Sequence, residues 1–334
     1  MRSHDDEGGR GASAPAHGLV WLVLRRVGVA IVLAVVISFL VYAATTVLPG
    51  DVAAAVLGRN ATPEAVAALR EQLGLEQPFL TRYVEWLGAL LHGDLGTSLA
   101  GTRMPVWDLI ATPIRNTVIL AGATLLLLIP LALAIGIASG VRQGRAFDRA
   151  AAGVSLTLTA VPEFVIGALL VLALAVYLPV LPAVSLVAGD VNPLTVPEFL
   201  VLPVATLIVA GAAYLIRIVR ISTIEAMATD YVEAARLAGV PERRVVFRYA
   251  VRNSLAPTIQ AVSATAQWLL GGIFVVEVLF AFPGIGNALV TAVQVRDVPV
   301  IQAVAMLLAL AFILINLVAD VATILVDPRL RTGG

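Results

Sequence analysis

Apolar residues in this chain fall in long runs separated by polar stretches, the pattern of a protein that crosses a bilayer repeatedly. A transmembrane helix needs about 20 consecutive apolar residues. Six such runs cover Val27 to about Leu48, Thr117 to Ala138, Val154 to Leu178, Phe199 to Ile218, Pro257 to Phe280 and Pro299 to Val326. They predict an all-α polytopic membrane protein with six transmembrane helices. The first run follows Arg25 and Arg26 and exceeds the roughly 7 to 15 residues of a signal-peptide core, so it is expected to be retained as a span. The third is interrupted near its start by Pro162 and Glu163. Prolines 130, 162 and 203 lie within or at the edge of spans and predict kinks, because neighbouring helices can satisfy the freed carbonyls.

The runs divide the chain into a polar tail of mixed charge (1–18, expected to be disordered and cytoplasmic), a first span (19–48), an external loop (49–116) and a five-span core (117–331) with a long polar loop at 221–256. In the external loop, Thr62 suits a helix N-cap, Pro63 the first helical position and Gly74 the stop. A second external helix is expected around Arg82 to Leu91, with Tyr83, Leu87 and Leu91 at helical spacing. This loop reads as a packed cap over the bundle or as a docking surface for a partner on the outer face, and the two are compatible.

Composition agrees with the pattern: 60% of residues are hydrophobic and 13% charged, against roughly 25% charged in soluble domains. The net charge is zero, yet its distribution is not even. With the N-terminus placed in the cytoplasm, sixteen arginines fall on the inner side and six on the outer, five of those six in the long external loop. Basic residues near span ends resist translocation, so both termini are expected inside. There is no Cys, and all 22 Lys+Arg positions are Arg. That excludes disulfides, thiolate nucleophiles and cysteine metal sites, and also a Walker A phosphate loop or Schiff-base chemistry, which need Lys. If nucleotide drives this protein, another chain must bind it. His4, His17 and His92 lie in the tail and the outer loop and cannot form a metal cluster within a span.

The polar loop carries the most local information. Asp230 followed by Glu233 suggests a capping box, with a short helix through Ala234, Ala235, Leu237 and Ala238 stopped at Gly239. Pro241 sits where a second helix would begin. There Arg244, Arg248 and Arg252 recur every four residues, and like charges at that spacing repel. Something anionic is expected opposite them, either inner-leaflet headgroups or an acidic protein surface.

The stretch DYVEAARLAGVPERRVVFRYAVRNSLAP (Asp230 to Pro257) resembles the EAA loop of permease subunits in binding-protein-dependent ABC importers. It is similar in particular to the dipeptide and oligopeptide permease family. Leu48, Pro49, Gly50 and Asp51 resemble the LPGD after the first span of the B-type subunit. Leu69 to Leu99 resembles its external loop, Phe282 to Gly286 (FPGIG) its fifth-span exit, and Asp327 to Arg331 (DPRLR) its C-terminal end. The resemblance implies a type I importer permease fold in the bacterial cytoplasmic membrane, with no enzymatic activity and no cofactor of its own. It implies as partners a second homologous permease, two cytoplasmic ATP-binding subunits, an extracytoplasmic substrate-binding protein and membrane lipid, but no nucleic acid. Peptides delivered by the binding protein are the implied cargo. Glu233, Ala234, Ala235 and Gly239 would form the coupling helix: Glu233 capping its helix or holding the loop, the alanines permitting close approach, Gly239 making the turn. The general EAA pattern places Leu-Pro nearer the glycine, where this chain has Val251 and Arg252; its proline comes at Pro257, so only those four residues carry over.

Glu163, Glu277, Asn316 and Asp320 fall within or near apolar runs, where a charge costs at least about 2.5–3.5 kcal/mol at mid-membrane. All four are expected to face the bundle interior, with Glu163, beside Pro162, expected near the cytoplasmic end, where exposure reduces its cost. Asn316 and Asp320 share a helical face and suit interhelical hydrogen bonding or a place along the pathway. Glu277 could line the pathway and meet a substrate amine, or hold the kink before Pro283 and Gly284. Two rivals need weighing. GIASG (Gly136 to Gly140) sets its glycine one position too far from Ser139 for a serine-protease loop, and no His follows residue 92 to act as base. A secondary transporter driven by an ion gradient needs ionisable residues at mid-membrane, which Glu277 and Asp320 could supply, but it leaves the EAA loop unexplained.

Overall fold

The structure, a computed structural model, describes residues 16–47, 62–72, 74, 76–100, 103–185 and 191–326. The LPGD and DPRLR motifs and most of the expected tail lie outside the described residues. Among those described, the chain is helical: α1 (Ala16–Val47), α2 (Pro63–Gln72), α3 (Phe79–Leu91), α4 (Val106–Val141), α5 (Ala146–Thr159), α6 (Glu163–Val171, prolonged by a π-helical turn Leu172–Tyr177), α7 (Glu198–Met227), α8 (Asp230–Leu237), α9 (Leu255–Leu279), α10 (Ile285–Gln294) and α11 (Val298–Val326). Helix α1 begins at Ala16, so the last residues assigned to the tail are helical. Thr62 caps α2 by accepting from the Ala65 N–H at 3.2 Å, and Gly74 follows with φ +62°.

Five helices among the described residues are long and apolar enough to cross a membrane: α1, α4, α7, α9 and α11. The third apolar run is not one straight rod. Helices α5 and α6 meet at a 103° bend, because Pro162 disfavours helical geometry in the residue before it and then caps α6. Helix α4 has 36 residues, and at about 1.5 Å per residue it outreaches a hydrocarbon core of about 30 Å. It starts at Val106, well before the expected Thr117, taking up the end of the external loop.

Helix α4 packs chiefly on α7, and α7 on α9. Gly136 and Gly140 make the first contact close. A Cβ at Gly136 would lie 2.7 Å from Val219 Cβ, and one at Gly140 2.7 Å from Thr223 Cβ. The GIASG segment is therefore a small-xxx-small seam that lets two backbones approach. Ser139 within it donates to Asp148 Oδ1 at 2.5 Å, and Asp148 also accepts from the Gly144 N–H at 2.9 Å and from Arg220 Nη2 at 2.8 Å. One buried carboxylate thereby ties the ends of α4, α5 and α7 together.

Polar contacts also place α11. Gln267 Nε2 of α9 donates to Asn316 Oδ1 at 2.9 Å, and Gln260 Nε2 to Thr323 Oγ1 at 2.6 Å. On its other side α11 meets α1 through Arg26 to Asp320 at 2.9 Å and Gln302 to Thr45 at 2.8 Å. The start of α1 thus lies beside the end of α11, an antiparallel pair. Asn316 and Asp320 contact different neighbours, α9 and α1. Such hydrogen bonds in membranes average only about 0.6 kcal/mol. Asn316→Leu is accordingly expected to lower stability by under about 1 kcal/mol, read as a small shift in unfolding of the purified protein in detergent; a collapse of folding would show that α11 depends on this bond.

The segment between α1 and α4 packs on the bundle. Phe79, Tyr83 and Trp86 of α3 cluster with Phe39 and Tyr42 of α1 at ring separations of 5.3–6.2 Å. Tyr83 also bonds Ser38 at 2.8 Å. Of the three residues expected on that face, Tyr83 is buried whereas Leu91 is exposed; aromatic contacts set the face instead. Ahead of α4, Ser98 bonds Asp297, whose Oδ1 also accepts from the Leu99 N–H at 3.1 Å.

Candidate functional site

The polar loop between α7 and α9 holds α8 as a short platform. Its N-cap is Thr229, whose side chain makes no capping bond and instead donates to the Ala226 carbonyl at 2.7 Å. The expected capping box is therefore absent: Asp230 already lies inside the helix. The C-terminal stop is as expected. Gly239 adopts φ +76°, its N–H bonds the Arg236 carbonyl at 2.9 Å, and the Val240 N–H bonds that of Ala235 at 3.1 Å. This is a Schellman motif, which needs a left-handed residue that glycine supplies without a Cβ penalty.

The two faces of α8 differ. Val232 and Ala235 turn inward and pack on Val245, with Met227, Val240 and Tyr249 around them. Ala234, Ala238 and Glu233 face outward, and Leu237 is 84% exposed. Ala235, expected with Ala234 to permit close approach, is thus buried under the platform, whereas Ala234 is exposed on its outer face. Glu233 makes no side-chain hydrogen bond with any described residue and does not cap the helix, but its charge acts on the Arg236 guanidinium of the same turn. Arg236 bridges the glycine turn to Glu242 at 2.7 Å, and its guanidinium holds the Glu242 carboxyl below its usual range.

Beyond Pro241 the chain is helical at Glu242–Arg244, π-helical at Val245–Ala250 and helical again at Val251–Asn253. Despite the π-turn, Arg244, Arg248 and Arg252 line one open groove of about 820 Å³ with Phe247, Val251 and Leu255.

At the far end of α9 lies the FPGIG turn. Glu277 is fully buried beneath it. Its Oε1 accepts from Thr117 Oγ1 at 2.5 Å and its Oε2 from the Gly286 N–H at 2.6 Å. Thr117 Oγ1 accepts in turn from the Ile285 N–H at 2.8 Å, Asn116 donates to the Pro283 carbonyl at 2.9 Å, and Asn287 donates to the carbonyls of Glu277 and Phe282. The turn wraps the carboxylate so closely that a Cβ on Gly284 would overlap Glu277, and one on Gly286 would lie 2.8 Å from its Oε2. Gly284 is needed for this contact and not for its φ of −107°. Asn116, Thr117 and Asn287 were not singled out in the sequence; the only signal was a polar pair at the edge of an apolar run and an amide just after the motif.

Glu277→Ala is expected to cost about 1–3 kcal/mol by leaving the buried Gly286 N–H without a partner. Glu277→Gln keeps an acceptor for that N–H and a donor toward Thr117, and is expected to fold and transport nearly as the native protein does. Denaturant unfolding with vesicle uptake checks both, and loss of uptake in the Gln variant would show that the charge itself is required.

Comparison with known protein families matches most of the chain. Residues 132–332 match the family described as binding-protein-dependent transport system inner membrane component, and residues 19–121 its N-terminal companion. The chain belongs to this family of ABC importer permeases. It is 33% identical over 311 residues to a probable peptide ABC transporter permease protein of Sinorhizobium fredii, covering 92% of this chain and 98% of the relative. It is 34% identical over 310 residues to a putative peptide transport system permease protein of Brucella abortus, covering 93% and 98%. It is 35% identical over 309 residues to a glutathione transport system permease protein of Salmonella choleraesuis, covering 92% and 98%. The permease is thus a multi-pass inner-membrane transport subunit and not an enzyme. Family membership places it in an assembly of the ABC importer type, with ATPase, permease and binding-protein components.

Proposed function

We propose that this permease pairs with a second homologous permease to form the pathway for di- or oligopeptides released by an extracytoplasmic binding protein. Two cytoplasmic ATPase subunits drive it. In this reading the chain has six spans, α5 and α6 forming the bent third, and both termini are cytoplasmic, as the arginine distribution favours. The observation that carries the reading is α8: an exposed Leu237 and Ala234 on a platform locked by Gly239 and backed by the Val232–Val245 contact. An exposed apolar side chain on such a support suits insertion into a partner's cleft. Glu233, with no side-chain hydrogen bond among the described residues, is available to that partner. ATPase closure would move α8 and, through α7 and α9, shift the bundle between inward-open and outward-open states, with differential contacts supplying the free energy. The Arg244, Arg248 and Arg252 groove would face anionic headgroups of the inner leaflet.

Glu277, Pro283 and Gly284 act in this proposal as a rigid outer turn, and Asn316 and Asp320 as the contacts that seat α11. An ion-gradient transporter is disfavoured because Glu277 is enclosed by the turn and Asp320 is paired with Arg26. Reconstitution with the partner permease, ATPases and binding protein tests the proposal. Peptide uptake should require ATP hydrolysis and persist when the proton gradient is collapsed. Uptake that follows the gradient without ATP would overturn it.

A further inference from the structure

The bend between α5 and α6 opens a cavity of about 430 Å³ against α7 and α9. Thr159 and Glu163 line it from the bend, Gly211 and Tyr214 from α7, and Ala264 and Trp268 from α9. These residues all fall within the third, fourth and fifth apolar runs. A carboxylate within a span is normally paired. Yet among the described residues Glu163 makes no ion pair and no side-chain hydrogen bond. The Tyr214 hydroxyl and the Trp268 indole N–H likewise have no hydrogen-bond partner among them. Arg217 lies over the Tyr214 ring at 6.0 Å but does not reach Glu163. Three polar side chains without partners among the described residues thus line a hollow whose other walls are mostly apolar, the composition of a small-ligand site.

We propose that this cavity is a cation subsite in which Glu163 receives the ammonium group of the transported solute, with the aromatic faces of Trp268 and Tyr214 beside it. A carboxylate supplies the opposite charge, and aromatic rings attract a cation through their negative faces. The α-ammonium of a peptide, charged below its pKa of about 7.7–8.0, has the required chemistry. The identification of the ammonium as a peptide's rests on the function proposed above; the cation subsite itself does not. It also gives the break at Pro162 a purpose, since the hollow opens at that bend.

The absence of native cysteine permits a direct test. In the reconstituted importer, Ala264→Cys is reacted with a trimethylammonium methanethiosulfonate and with its sulfonate counterpart, each rate normalised to that of a free thiol in solution. The normalised cationic rate is expected to exceed the anionic one by roughly tenfold, about 1.4 kcal/mol of local preference. Glu163→Gln should bring the ratio near one, and Glu163→Asp should restore most of it. A ratio unchanged by Glu163→Gln, or a thiol unreactive toward both reagents, would overturn the subsite. Dialanine should then slow the cationic reagent while N-acetyl-dialanine does not. Failure of that protection with the charge preference intact would count against the peptide cargo and not against the subsite.

Discussion

Replacing Asp148 with Ala is expected to cost the permease about 3 kcal/mol of stability, the low end of what breaking one partner of a buried ion pair costs. Asp148 is 2% exposed and accepts from Ser139, the Gly144 N–H and two nitrogens of Arg220. Its removal leaves the Arg220 charge without a counter-ion at the α4–α7 seam and orphans the Gly144 N–H. The low end applies because the Arg220 side chain retains 24% exposure and can reach water. Denaturant unfolding in mild detergent would measure the loss. The double variant Asp148→Ala with Arg220→Met should recover part of it, since the stranded charge goes with its partner. Equal stability of Asp148→Ala and the native permease would show that the small-residue seam holds α4 to α7 without the clamp.

Leu237→Asp should reduce ATP-driven uptake by at least about tenfold, a change of about 1.4 kcal/mol or more in productive coupling, while leaving the bundle folded. Leu237 is 84% exposed and belongs to no buried cluster among the described residues, so its substitution removes little intrachain packing. A carboxylate there would have to be desolvated in any partner cleft. Leu237→Ala should be milder, because it keeps the face apolar. Gly239→Glu probes the same platform through the backbone. The space around Gly239 is open, so the cost is conformational, about 1–2 kcal/mol for a side chain at positive φ, and it falls on the Schellman turn that ends α8. Leu237→Asp should give an unfolding curve like the native one, and Gly239→Glu one shifted by no more than that local cost. Normal ATP-driven uptake by Leu237→Asp would remove α8 from the coupling surface.

Features carried by contiguous residues were legible in the sequence. Hydropathy summed over a run locates the long helices, and the end of α8 needs only Gly239 and its neighbours, since a left-handed stop is a local requirement. The arginine asymmetry and the EAA, FPGIG and external-loop motifs are likewise read in sequence order. The capping box at Asp230 failed for an equally local reason: Thr229 occupies the cap position, and its hydroxyl is engaged by the preceding turn.

What the tertiary structure alone decided are the contacts between residues far apart in the chain. Spans this uniformly apolar carry little periodicity, so nothing in α9 shows that Gln267 meets Asn316, or that Glu277 reaches Thr117 across 160 positions. Two readings of Glu277 were open in the sequence; burial and hydrogen bonds place its carboxylate in the turn. Gly136 and Gly140 stood in view as part of a rejected protease pattern, and only the approach of Val219 and Thr223 shows why they are small. Ala235 could have faced either way until α8 packed on Val245. The sequence by itself determined that this chain crosses a membrane on long helices and presents a short platform from one polar loop, because hydrophobicity and turn chemistry act locally. Which faces meet, which charges are paired and where the hollow beside Glu163 opens were decided by packing, which matches surfaces and not sequence positions.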